Sequence, residues 1–419
     1  MTVLELSRLQ QARAQTLALV AGVSDEDLER VHSPLMSPLV WDLGHIASFE
    51  DLWLAHRHGG MALLHPELAE VYDAFETPRA KRGELPYLRR AEAERYLEEV
   101  RERIRGLGLR GDEPLVEMVA RHERQHAETM LQTLALAGLP AWRPPQPTAT
   151  AAAGAAGEPS GLALIELAAT SFPLGADAAA DFAYDNELPQ HRVEVAAFAI
   201  GRVAVTNRDW LEFIEDGGYA RAQWWSPEGW EWRVAEAAER PLRWLDGGRE
   251  RTLAGTRALA LDCPVVHVCY HEADAFARAR GLRLPSELEW ELAATYDHAR
   301  GVKLAWPWGE GQPGPDEANL IESGCFEAVA AGSLPGGASP CGALGMIGDV
   351  WEWTSSGFGG YPGFRADPYP EYSEVFFGGD YRVLRGGSFA TSALVATPTF
   401  RNWDYPARRQ IFAGLRVAA

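Results

Sequence analysis

The sequence predicts a multidomain protein, an N-terminal four-helix bundle followed by a C-terminal α+β domain. Three observations carry this. At 419 residues the chain exceeds what one hydrophobic core usually organises. Up to about residue 138 it is rich in Leu, Ala, Glu and Arg, with apolar residues recurring every three or four positions as on one face of a helix. Beyond a Pro/Ala/Gly-rich stretch the composition changes, Gly and Trp become frequent, and short β-like runs alternate with loops. No internal repeat is present in the sequence.

The elements follow in order. Helical periodicity spans 3–20, 37–58, 89–108 and 113–137, interrupted at SPLMSPL and RGELP. Ser37 followed by Pro38 reads as the start of the second helix, because proline is tolerated in a first turn. A long connection carrying YDAFETPRAKRGELPY joins the second helix to the third, and GDEP and AGLP bound the fourth. These helices make a first domain of 1–138. Residues 139–161 read as a linker, since LPAWRPPQPTATAAAGAAGEPSG has almost no large apolar residue after Trp142. A second domain of 162–419 contains the β-like runs ALIEL, HRVEVAAFAIGRVAV and YRVLRGGS, and short helices near 207–216 and 271–280.

Composition limits the function. Hydrophobic residues make up 47% and charged residues 23%, the balance of a soluble globular protein rather than a disordered one. A net charge of −20 without a basic block argues against nucleic acid and anionic membrane as partners, because both reward clustered Lys and Arg. The scattered charges of MTVLELSRLQQARAQTLALV are not those of a signal peptide, and no window reaches a membrane span, so a soluble, cytoplasmic protein is expected. Cys263, Cys269, Cys325 and Cys341 form no CxxC pair and read as structural thiols.

The chemically informative stretch is RHERQHAETM, residues 121–130. Four helical residues advance about 400°, so His122 and His126 lie one turn apart on one face, in the stripe of Leu115, Val119, Met130 and Leu134. In VWDLGHIASFEDLWL, His45 shares the stripe of Trp41, Phe49 and Leu52, and bundle metal sites are assembled from such inward residues on facing helices. Glu128 is turned about 200° from His126 and is not the third ligand. Three imidazoles suit iron, zinc or copper and leave coordination positions open. Core histidines satisfied by nearby carboxylates or carbonyls are the competing account, and spacing alone does not choose between them. His267 and His271 are also four apart, but PVVHVCYHEA reads as strand turning into helix, which removes the helical relation.

SPLVWDLGHIASFEDLWL together with HERQHAET resembles the DinB-like bundle of the EgtB-type sulfoxide synthases of ergothioneine biosynthesis. RVAVTNRDWLEFIEDGGY, LRLPSELEWELAA, WPWGE, GMIGDVWEWTSS, LRGGSFA and FRNWDYPARRQIFAGLRVA resemble their formylglycine-generating-enzyme-like (sulfatase-modifying-factor, C-type-lectin-like) domain. The resemblance covers nearly the whole chain in order. It implies an iron(II)-dependent oxidoreductase that uses O2 to join a thiol to C2 of the hercynine imidazole and leaves a sulfoxide. It further implies His45, His122 and His126 as iron ligands, and Gln125 beside the imidazole substrate. Tyr369 is implied as the proton donor, with Tyr372 its competitor.

Arg79 and Arg82 match the pair holding the carboxylates of γ-glutamylcysteine, a task suited to guanidinium forks. Trp403 and Asp404 match family residues near the substrates, which makes Asp404 a candidate partner for the γ-glutamyl ammonium and Asn402 and Trp403 candidates to line the pocket of the trimethylammonium group; a quaternary ammonium offers no N–H and favours an aromatic face. The stretch FATSALVATPTFRNWD has no cysteine, which argues against formylglycine generation itself. The related SenA-type selenoneine synthases, which take a selenosugar as selenium donor, remain an alternative, as does a non-catalytic ligand-binding module.

Overall fold

The computed structural model describes residues 3–108, 114–139 and 160–419. The chain divides into two compact units, Met1–Arg143 and Pro144–Ala419. Most of the stretch expected as a linker, 140–159, lies outside the described residues.

In the first unit the long helices are α1 (Val3–Val20), α3 (Leu39–Glu50), α4 (Arg90–Arg105) and α5 (Pro114–Ala137), with a short α2 (Asp25–Glu29) between the first two. Sequence periodicity did not show α2, a single turn started by the Ser24 hydroxyl, which accepts from the Asp27 N–H. The expected helix over 37–58 divides into α3 and a π-helical segment, Asp51–His58. Its start is also shifted. Pro38 is extended (φ −56°, ψ 138°) and is itself the N-cap, while the Ser37 hydroxyl is taken by the Arg82 guanidinium at 2.8 Å.

The helices are tied by a buried ionic network. Arg13 on α1 donates to Glu50 at 2.6 Å and to Glu123 at 2.8 Å, and Arg101 on α4 donates to Glu50 at 2.6 and 3.0 Å. One glutamate on α3 thereby joins α1 and α4, and Glu123 brings in α5.

In the second unit the helices are α6 (Asn207–Glu215), α7 (Pro227–Ala235), α8 (Tyr270–Ala279) and α9 (Glu287–Thr295). The expected helices near 207 and 271 are α6 and α8. Sequence reading missed α9, although Ser286 and Glu289 form the reciprocal capping box that SELE spells out. PVVHVCYHEA is not a strand: Pro264 makes an isolated bridge to Thr206, and His267 has φ +65°, which breaks extended geometry before Cys269 caps α8.

The central sheet runs in the order Asn402–Asp404, Arg382–Arg385, Trp351–Gly357, Ala413–Leu415. Its first three strands are antiparallel, with Trp403 opposite Val383 and Trp353 opposite Leu384, and the fourth runs parallel to Trp351–Gly357. The NWD motif therefore forms an edge strand. Trp210, Phe213, Phe276 and Trp353 are fully buried in the core beside it. Three buried arginines satisfy buried glutamates: Arg385 with Glu291 at 2.5 Å, Arg401 with Glu287 at 2.8 Å and Arg416 with Glu352 at 2.9 Å.

All four cysteines are free. Among the described residues no helix is long and apolar enough to cross a membrane.

Candidate active site

His45 projects from α3 and His122 and His126 from α5, and one ring nitrogen from each lies within 4.8 Å of the others. Among the described residues this is the one cluster of three groups able to hold a metal ion. Glu128 takes no part in it, and neither do His267 and His271. The ring of His267 instead lies 3.1 Å from the Arg409 carbonyl, where it donates from Nδ1.

The partners of two of the rings, His45 and His126, define their tautomers. His45 Nδ1 is 2.7 Å from the Tyr72 carbonyl, and a carbonyl can only accept, so Nδ1 carries the proton and Nε2 a lone pair. His126 Nδ1 is 3.1 Å from a carboxylate oxygen of Asp42, which likewise leaves its Nε2 unprotonated in the neutral ring. His45 Nε2 and His122 Nε2 are 3.1 Å apart. Two nitrogen ligands about 2.1 Å from one ion and at right angles would be separated by roughly 3.0 Å. The donor set fits a metal ion.

Electrostatics favour the same state. Loss of solvation, with the neighbouring His126 as the next cause, holds His45 and His122 well below the ordinary imidazole range. They are neutral at physiological pH, the form that ligates metals. The rings are also fixed from behind. Trp41 stacks on His45 (4.9 Å, 11°) and Phe49 on His122 (3.7 Å, 11°).

Asp42 is the site residue that sequence reading missed. It is 1% exposed, and its second oxygen is buried without a partner among the described residues. A carboxylate one turn before His45, inside an apolar stripe, was the available signal. Replacing Asp42 by alanine is expected to weaken metal binding roughly 10–100-fold, the usual effect of losing an outer partner of a ligating histidine. Anaerobic iron titration measures this, and unchanged affinity would remove Asp42 from the site.

The arginine pair divides. Arg82 is buried and donates to the Thr77 carbonyl (2.8 Å), the Ala74 carbonyl (2.9 Å) and Ser37, with its guanidinium 3.9 Å above Trp41. Trp41 in turn stacks on His45, so Arg82 reaches the histidine cluster through one indole. Arg79 is partly exposed, 3.4 Å from the Leu35 carbonyl. Gln125 directly precedes His126 on α5, turned about 100° from it, and its backbone carbonyl accepts from the Thr129 hydroxyl at 3.2 Å.

In the second unit Trp403 stacks on Phe358 (4.1 Å, 8°) and meets the edge of Tyr372 at 6.0 Å. Tyr369 is edge-on to Tyr372 at 6.2 Å, so both tyrosines belong to one aromatic group with Trp403. The Asn402 side-chain oxygen accepts from the Trp403 N–H at 2.9 Å. Asp404 accepts from the Tyr405 N–H at 2.8 Å and lies 3.4 Å from the Arg408 guanidinium, an i,i+4 partner that sequence reading did not single out.

Residues 8–107 match the DinB superfamily and 152–419 the sulfatase-modifying factor enzyme 1-like domain. A helical bundle with a three-histidine cluster, followed by a domain of this second kind, defines a two-domain protein with a candidate metal centre.

Three relatives match along nearly their whole lengths. The hercynine oxygenase of Mycobacterium tuberculosis is 47% identical, over 98% of this chain and 97% of its own. Hercynine oxygenases of Mycolicibacterium thermoresistibile and Mycolicibacterium smegmatis are 44% and 43% identical, over 99% and 97% of this chain and 94% and 96% of theirs. The chain belongs to the hercynine oxygenase family, the EgtB-type sulfoxide synthases of ergothioneine biosynthesis. It is an enzyme, which removes the non-catalytic binding module.

Proposed function

We propose that the protein is an iron(II)- and O2-dependent cytoplasmic enzyme that joins γ-glutamylcysteine to C2 of hercynine as the sulfoxide. The atoms balance: the C2–H of hercynine and the S–H of the thiol are lost, one oxygen atom of O2 stays on sulfur, and the other leaves as water. The observation that carries this reading is the convergence of ring nitrogens from His45, His122 and His126, with Nδ1 of His45 and His126 tied to oxygen acceptors.

His45, His122 and His126 would hold the iron, which when bound supplies electron transfer to O2 and favours the thiolate of the donor. Gln125 would border the imidazole substrate. The face of Trp403 would take the trimethylammonium cation together with Asn402, an attraction that survives the lack of an N–H. Arg79 offers the more exposed guanidinium for a substrate carboxylate, while Arg82, with three of its five N–H groups committed to the Thr77 and Ala74 carbonyls and the Ser37 hydroxyl, would add charge from a fixed position. Asp404 would exchange its 3.4 Å contact with Arg408 for the substrate ammonium. The Tyr369 hydroxyl would donate a proton during the oxygen step.

Tyr369→Phe is expected to keep full iron content and to shift product from sulfoxide towards oxidised thiol by about 10²-fold, the lower range for general acid catalysis. Product masses decide this, and an unchanged ratio rejects the role. The reaction itself is tested by giving the iron-loaded protein hercynine and O2 with γ-glutamylcysteine, cysteine or a selenosugar in separate incubations. A coupled sulfoxide with γ-glutamylcysteine supports the reading. Coupling with the selenosugar alone would instead make the enzyme a selenoneine synthase, and coupling with none would overturn the proposal.

A further inference from the structure

The segment 367–373 carries Tyr369 and Tyr372 and is mostly exposed, and it forms one short turn with two internal backbone hydrogen bonds, from the Tyr372 N–H to the Tyr369 carbonyl, long at 3.4 Å, and from the Ser373 N–H to the Pro370 carbonyl. A single exposed turn of this kind is held in place largely by what it contacts elsewhere in the fold. Both its ends nevertheless meet one buried carboxylate from far away in the sequence. Asp185, 4% exposed, accepts from the Ser373 hydroxyl at 2.6 Å through one oxygen, and its other oxygen lies 3.4 Å from the Asp367 N–H. The preceding residue, Tyr184, stacks flat on Tyr372 at 4.4 Å and 9°.

The turn that presents Tyr184 and Asp185 is itself firmly held. Glu187 accepts from the Tyr184 N–H at 2.9 Å and from the Thr399 hydroxyl at 2.5 Å. The Asn186 carbonyl accepts from Arg401 at 2.8 Å, and Arg401 forms a two-point pair with Glu287 at 2.8 and 2.9 Å. Arg401 directly precedes Asn402 and Trp403, so the same anchor serves the NWD strand and the tyrosine segment. Burial pushes the Asp185 carboxyl up to about 6, against the lowering effect of the bonds from Ser373 and Asp367. A carboxylate kept buried at that cost needs compensation from the groups it binds.

We propose that Asp185 is a positioning residue that clasps both ends of the tyrosine segment, with Tyr184 supporting Tyr372, and so sets the phenol geometry on which product choice depends. The inference rests on the reading of Tyr369, or its neighbour Tyr372, as proton donor. Asp185 acts through the segment and needs no contact with substrate. A donor displaced by about 1 Å loses much of its advantage, since proton transfer requires hydrogen-bond reach.

The test compares Asp185→Ala and the milder Ser373→Ala with Tyr369→Phe and Tyr372→Phe in the full-length, iron-loaded protein. Amide hydrogen exchange over 367–376 and the ratio of sulfoxide to oxidised thiol are measured together. Asp185→Ala is expected to accelerate exchange at least about 10-fold and to lower the product ratio about 10-fold with iron content unchanged; Ser373→Ala is expected to do both to a smaller degree. Unchanged exchange in both variants overturns the clasp. Faster exchange with an unchanged ratio, where a phenol variant does shift it, overturns its role in the chemistry. If neither phenol variant shifts the ratio, the proton-donor reading fails, and the clasp stands or falls on exchange alone.

Discussion

Replacing His122 by alanine is expected to abolish stable metal binding and to reduce sulfoxide formation by at least about 10³-fold, well beyond the roughly 10–100-fold cost of losing an outer partner. His122 supplies the ring nitrogen 3.1 Å from that of His45, and without it the cluster falls to two ligands. The helix should survive, because alanine is the best helix former and α5 keeps its buried stripe. The local loss is the stacking of Phe49, 3.7 Å from the imidazole, which leaves a small void beside α3. Metal analysis of anaerobically purified protein, with circular dichroism to show an intact fold, checks the prediction. His271→Ala is the control and should retain wild-type iron. Equal iron in His122→Ala and wild type would sink the metal reading.

The second large effect is on stability. Glu50→Ala is expected to destabilise the helical unit by about 3–5 kcal/mol, because it leaves the buried guanidiniums of Arg13 and Arg101 to share the one carboxylate of Glu123. Glu50 is fully buried and its two oxygens take three of the network's hydrogen bonds. The loss should reach the histidine cluster as well, since Glu50 ends the helix carrying His45 and Glu123 adjoins His122. Denaturant unfolding of the full chain, with iron content measured in parallel, provides the readout. Unfolding that moves by less than about 1 kcal/mol would show that the arginines find other partners.

The pH dependence has a defined sign. Burial raises the Glu50 carboxyl, but Arg101 and then Arg13 outweigh it, and the net shift is downward. A depressed carboxyl contributes its full stabilisation above the ordinary glutamate range and loses it as pH falls through the lowered folded value. The wild-type bundle should therefore lose stability on acidification below that range, and Glu50→Ala should show a weaker dependence there.

Much of the candidate site was legible because helical geometry is local. His122 and His126 share a face by spacing alone, and Trp41, His45 and Phe49 share a stripe for the same reason. Arg82 was less legible: the guanidinium pattern shows its charge, but its commitment to the Thr77 and Ala74 carbonyls depends on how the loop closes on itself. The NWD strand shows an aromatic and a carboxylate in sequence, whereas the stacking of Trp403 on Phe358 follows from sheet register and a distant loop.

Periodicity and spacing thus determined the helical domain, the change to an α+β domain and a histidine pair on one helix face, since each depends on residues within one or two turns. Tertiary structure alone decided that His45 comes within 3.1 Å of His122, that Asp42 orients His126, and that Asp185, more than 180 residues away in sequence, holds the tyrosine segment. Those partnerships are made by packing between elements distant in the chain, where the energy of desolvating a polar group selects its partner and local propensity has no influence.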